Sequence, residues 1–231
     1  ETMGQITIRE LEKLDFFEGI PQDILQNLLN ESTVASYKKK EVIFHSRTRT
    51  EFVYFVLSGE VMLYNLTKHG NRKVIFILGK GRLLNQSIVS KKPNALFGEA
   101  VCPVQALKIP EGVFLRLMEQ CHELTYSILR EYERNLWRMG HQLKNTTGNM
   151  QTERKIAAKL WKLGRDFGVE TEEGVMVDID LTITLMADLV GVPRENVSRA
   201  CKVLTDRGLI RYSSKRFILT DFDGLADFYK M

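Results

Sequence analysis

Residues 184–204 hold two amphipathic stretches separated by a single break, which restricts this part of the chain to two short helices joined by a turn. Thr184 is placed to cap the first helix, whose apolar positions are Leu185, Leu189 and Val190, with Ala187 small enough for close contact. Gly191 ends it, because the residue after a helix often takes a left-handed conformation. Pro193 fits the first turn of the next helix, where its missing N–H costs nothing. In that second helix Val197, Ala200, Cys201 and Leu204 fall on one side, and Arg194, Glu195, Ser198, Arg199 and Lys202 on the other. Arg and Lys can hold guanine or phosphate, Glu accepts from the cytosine amino group, and Ser can serve either base. A solvated helix would explain the charge alone, but the preceding short helix and its Gly-containing turn fit a helix-turn-helix. Residues 209–219 then read as a two-stranded wing carrying Arg211, Lys215 and Arg216. Arg194, Glu195, Ser198 and Arg199 are the candidate base readers. Thr184, Lys202, Arg211, Lys215 and Arg216 are the candidate backbone contacts.

Total charge says little about a nucleic-acid partner, since the formal net charge over 231 residues is only +4. Its distribution says more. Residues 194–216 carry Arg194, Arg199, Lys202, Arg207, Arg211, Lys215 and Arg216 against only Glu195 and Asp206. No apolar run approaches the roughly 18 residues of a membrane span, and residues 1–17 lack the apolar centre of a signal peptide. A cytoplasmic protein without membrane contact is expected. Cys102, Cys121 and Cys201 form no C-x-x-C pair and read as buried thiols rather than zinc ligands or a disulfide framework. A β-barrel metalloenzyme would need clustered His and carboxylate ligands, yet no H-x-H occurs and His45, His69, His122 and His141 are scattered. No catalytic or metal-binding residue is expected, and the chain reads as a non-enzyme. The other rival is a winged helix that docks on a protein instead of DNA.

Upstream, residues 1–110 are mostly strand. Residues 51–57 are rich in β-branched and aromatic side chains, Ser58-Gly59 turns, and residues 61–66 form a partner strand. Residues 68–71 have turn chemistry, residues 74–78 make the next strand, and a short helix at 21–29 precedes them all. Short strands at this spacing suggest an antiparallel sandwich or barrel. Residues 111–150 contain no proline and form a dimerisation helix and hinge. Leu129, Tyr132, Leu136, Met139, Leu143 and Met150 recur at steps of three and four, with Thr146 filling the gap. So narrow a stripe suits a second copy of the same helix better than the chain's own β-domain. Residues 151–231 are a compact helical unit with a terminal hairpin. Ile156, Ala157, Leu160, Trp161 and Leu163 share one helix face there, and a polar loop at 170–174 leads into a strand at 175–179.

With these residues in hand, the chain resembles the cyclic AMP receptor protein/fumarate-nitrate regulator superfamily of bacterial transcription regulators. The most specific stretch is 186–210, MADLVGVPRENVSRACKVLTDRGLI. Arg194, Glu195 and Arg199 match the base-contacting positions of the cyclic AMP receptor type, and Glu195, Ser198 and Arg199 match the E-x-x-S-R pattern of the fumarate-nitrate type. The resemblance implies an α+β chain: an N-terminal antiparallel β-roll (a double-stranded β-helix like the cyclic-nucleotide-binding domains), a long dimerisation helix and a C-terminal winged helix-turn-helix. It also implies a homodimer on double-stranded DNA, half-sites related to TTGA or TGTGA, and RNA polymerase as partner if the protein activates. Arg199 or Arg194 would meet the central guanine.

The sensor region departs from that pattern. Where cyclic AMP receptors carry a G-E pair for ribose and an R-S pair for phosphate, the alignment gives Asn85-Gln86 and Asn94-Ala95. Without the arginine a buried phosphodiester loses its main charge partner, so cyclic AMP is disfavoured. The absence of an N-terminal cysteine cluster disfavours an iron–sulfur centre, and no His sits at the haem-ligand position, which disfavours haem. The effector is expected to be a different small molecule. It would be held by Asn85, Gln86, Ser87 and Asn94, with Tyr126, Arg130 or His141 from the dimer helix. Alternatively, these polar groups are solvent-exposed turn residues and the protein is constitutively active.

Overall fold

A computed structural model describes residues 6–146 and 150–230, leaving aside the side chains of 143–146. The chain divides into two compact units. One takes residues up to Asn65 together with Ile75–Gly140, and the other takes Leu66–Val74 and the chain from His141 onward.

The first unit opens with α1 (Ile8–Glu12), a 3-10 turn (Asp15–Phe17) and α2 (Gln22–Asn30). There follow β1 (Thr33–Tyr37), β2 (Val42–Phe44), β3 (Phe52–Ser58), β4 (Val61–Leu66), β5 (Arg72–Leu78), β6 (Phe97–Ala100) and β7 (Val104–Pro110). The strands form two antiparallel sheets, ordered β1-β7-β3 and β2-β6-β4-β5. Tyr54, Val56, Val104 and Ala106 of one sheet meet Phe44, Val61, Leu63, Phe76, Leu78 and Ala100 of the other in a shared core. The opposite face of β3 and β7, with Val53, Phe55, Leu107 and Ile109, is covered by the helices through Leu11, Phe17, Leu25, Phe114 and Leu124. Coverage on both faces explains why residues 51–57 read as an uninterrupted apolar run rather than an alternating one.

Residues 111–150 are not one helix. They form α3 (Glu111–Gln120) and α4 (His122–Thr146), broken at Cys121, whose backbone is extended. Thr125 Oγ1 donates to the Met118 carbonyl across the break at 2.7 Å. α3 belongs to the β-roll's core, through Phe114 and Leu117. α4 is anchored to the same unit by Leu124 and Ile128 and by an ion pair, Arg82 to Glu131 at 3.3 Å. The Glu131 side chain is only 5% exposed, so removing Arg82 would leave a buried carboxylate without this ion-pair partner.

In the second unit α5 (Thr152–Phe167) packs against β8 (Gly168–Thr171), β9 (Gly174–Val177), α6 (Ile183–Val190), α7 (Arg194–Asp206) and α8 (Phe222–Lys230), with β10 (Arg211–Ser213) and β11 (Arg216–Leu219) between α7 and α8. The small sheet is ordered β10-β11-β9-β8. The chain therefore ends in a helix rather than the expected hairpin. α8 closes over α5 by stacking Phe222 on Trp161, ring centroids 5.7 Å apart. No helix among the described residues is long and apolar enough to cross a membrane.

Candidate nucleic-acid interface

The helix-turn-helix is α6, a three-residue turn and α7. Thr182, not Thr184, caps α6: its Oγ1 accepts from the Leu185 amide at 3.0 Å. The Leu181 amide, just before this cap, is shared between the Ile179 carbonyl at 2.8 Å and the Lys215 carbonyl at 2.9 Å, which ties the segment entering α6 to the wing. Thr184 lies exposed in the first turn of α6. Gly191 takes φ 74° and returns its amide to the Ala187 carbonyl at 2.8 Å, a left-handed stop that a side chain would strain. Pro193 precedes α7 as its N-cap.

α7 splits as its periodicity requires. Val197, Ala200, Cys201 and Leu204 are buried, while Arg194, Glu195, Ser198, Arg199 and Lys202 are all exposed. Burial pushes the Cys201 thiol up to about 11, so it is an uncharged core group rather than a nucleophile. Asn196 was absent from the expected set. Its Oδ1 accepts from the Arg199 guanidinium, one turn away, and so orients that side chain. An i, i+3 pairing of Asn with Arg was the available signal.

The wing places its basic groups unequally. Ser214 and Lys215 form the tip of the β10–β11 hairpin, both with positive φ, and Lys215 is exposed. Arg211 pairs with Glu173. Arg216 is bound between Asp178 and Asp180, which fastens the wing to the segment entering α6. Arg216 was expected on phosphate, but its guanidinium already serves two carboxylates inside the unit. Those acidic partners lie far away in sequence, and nothing local announced them.

On α4, Leu129, Leu136 and Met139 are 56%, 72% and 44% exposed. Tyr126 and Trp137, each 63% exposed, extend the apolar strip. Tyr132 departs from it. It packs on the helix-facing core, with its hydroxyl beside the backbone of Ile88, and burial pushes its pKa up to about 12. Met150 lies beyond the end of α4, and the Leu143 side chain is outside the described residues.

The expected effector residues fall into separate roles. Asn85 is buried and extends the pairing of β3: its Oδ1 accepts from the Tyr54 amide at 2.8 Å and its Nδ2 donates to the Phe52 carbonyl at 2.9 Å. Gln86 Oε1 accepts from the amides of Ala95 and Leu96, both at 3.0 Å. Ser87 pairs with Ser90 at 2.7 Å, and Asn94 exchanges backbone bonds with Arg47 and Thr48. Arg130 donates to Ser127 on its own helix at 3.0 Å. Tyr126 lies on the exposed apolar strip, and His141 falls in the second unit.

This pairing of a β-roll with a winged helix-turn-helix is found in known proteins. The cyclic nucleotide-binding domain family matches residues 34–121 and the Crp-like helix-turn-helix domain family matches residues 154–228. The chain belongs to the cyclic AMP receptor protein/fumarate-nitrate regulator superfamily and is a DNA-binding transcription regulator, not an enzyme. It is 23% identical over 217 residues to the CRP-like cAMP-activated global transcriptional regulator of Mycobacterium tuberculosis, covering 94% of this chain and 96% of that one. It is 24% identical over 186 residues to the global nitrogen regulator of a Nostoc species, covering 79% and 83%. The fold matches FixK2 of Bradyrhizobium japonicum with a TM-score of 0.74 at 19% identity, covering 85% of this chain and 96% of that one.

Proposed function

We propose that the chain acts as a homodimer on a two-fold symmetric DNA site with TTGA- or TGTGA-like half-sites. On this reading α7 lies in the major groove, and Arg194, Glu195, Ser198 and Arg199 meet base edges. The carrying observation is the division of α7, with four buried apolar residues behind five exposed polar ones. The dimer forms along the exposed strip of α4, so half-site centres lie about 34 Å apart. A small effector other than cyclic AMP acts through the β-roll, by binding one arrangement of the dimer more tightly than the other. RNA polymerase is the partner if the protein activates.

Phosphate contacts fall to Thr184, Lys202 and Lys215, with Arg211 able to leave its exposed partner Glu173. Arg216 stays on its carboxylates. Binding of a fluorescent duplex across a salt series tests the division. Lys215→Ala is expected to lower the slope of log K against log salt by about 0.9, the effect of one phosphate contact. Arg216→Ala should leave the slope as in the parent. An unchanged slope in Lys215→Ala, or a reduced one in Arg216→Ala, reverses the assignment.

A further inference from the structure

The loop after β5 is sewn together by its own side chains. Residues 82–85 run beside β3: the Val56 amide donates to the Arg82 carbonyl at 3.0 Å and the Leu84 amide to the Tyr54 carbonyl at 2.9 Å. Asn85 continues that pairing with its carboxamide. On the far side, the Asn94 amide donates to the Thr48 carbonyl at 2.9 Å and the Arg47 amide to the Asn94 carbonyl at 2.8 Å. Between these clamps, two consecutive amides, Ala95 and Leu96, converge at 3.0 Å on one oxygen, Gln86 Oε1. Successive backbone N–H groups aimed at one point form a nest that attracts an anionic oxygen. Here the oxygen is supplied from within the chain, ten residues or fewer away.

We propose that Gln86 is a built-in occupant of an oxyanion nest, so that this loop holds its hydrogen-bonded form without a phosphate-bearing effector and rejects one. The proposal rests on the effector reading above and narrows it: an effector of this protein carries no phosphate to the 84–96 loop. Three features make the occupant sufficient. The carboxamide oxygen satisfies both amides. Its Nε2 faces the Leu84 carbonyl at 3.4 Å, which fixes which end of the carboxamide points at the nest. Asn94, at the position where the resemblance would put a phosphate-holding arginine, is uncharged.

Amide hydrogen exchange on the full chain tests this without DNA, so failure to bind DNA would remove the proposed function and leave this result readable. In the parent protein, neither inorganic phosphate nor cyclic AMP at millimolar concentration should change protection at Ala95 and Leu96. Gln86→Ala should speed exchange of those two amides by about tenfold, the loss of a side-chain acceptor. Inorganic phosphate should restore protection in that variant alone. Gln86→Glu, whose carboxylate can accept both amides, should exchange like the parent. Added protection of the parent by phosphate or cyclic AMP overturns the proposal whether or not Gln86→Ala folds. So does Gln86→Ala that exchanges no faster, or that exchanges faster and gains nothing from phosphate.

Discussion

Leu136→Glu is expected to convert the protein to a monomer and to weaken binding to a full symmetric site by about 10²–10⁴-fold, the advantage of linking two half-site contacts. Leu136 is 72% exposed within one chain, so the substitution removes no contact from the protomer's own core. The inner side of α4 is already committed to the β-roll through Leu124, Ile128 and Glu131, while Tyr126, Leu129, Leu136 and Met139 are exposed on it. Contiguous exposed apolar side chains on one helix mark a partner surface, and on the proposed reading that partner is a second α4. A charge at its centre would be desolvated opposite its own symmetry mate, which is costly. Sedimentation velocity at micromolar concentration checks the first effect, and titration of full and half-site duplexes checks the second. A Leu136→Glu protein that remains dimeric would move the interface elsewhere.

Arg199→Ala is expected to cost about 1–3 kcal/mol on the cognate site, roughly fivefold to more than a hundredfold, and to relax preference at one base pair. Arg199 is exposed on the polar face of α7 and held by Asn196, so its guanidinium is partly ordered before any DNA arrives. That ordering lowers the entropy lost in a bidentate contact with guanine. The selective loss is the diagnostic feature. Equal weakening on cognate and random duplexes would make Arg199 a phosphate contact instead.

How far these elements could be read beforehand depended on whether their cause was local. The run at 51–57 and the break at Gly191 carry their own physics, and β3 and the end of α6 fall where expected. β8 has four exposed residues beginning at a glycine, so it offers no alternating pattern to detect. α8 contains Asp and Gly and gains its stability from Asp221 capping the Gly224 amide at 2.8 Å and from packing on α5. Thr182 and Thr184 have the same capping chemistry, and what separates them is the folded path into α6, including the bond from Leu181 to the distant Lys215. Tyr132 fits the stripe by spacing but turns to the core because a buried site beside Ile88 receives its ring. The polar face of α7 was legible because a helix periodicity sorts polar from apolar without outside help. The pairing of Arg216 with Asp178 and Asp180 was not, since it joins residues brought together only by the fold.

Selection of bound duplexes from a random DNA pool by the purified chain tests the central claim most directly. Expected is enrichment of a two-fold symmetric motif whose half-sites resemble TTGA or TGTGA, with centres about one helical turn apart. Recovery of an asymmetric motif, or of no motif at low salt, would contradict the proposal that paired α7 helices read DNA.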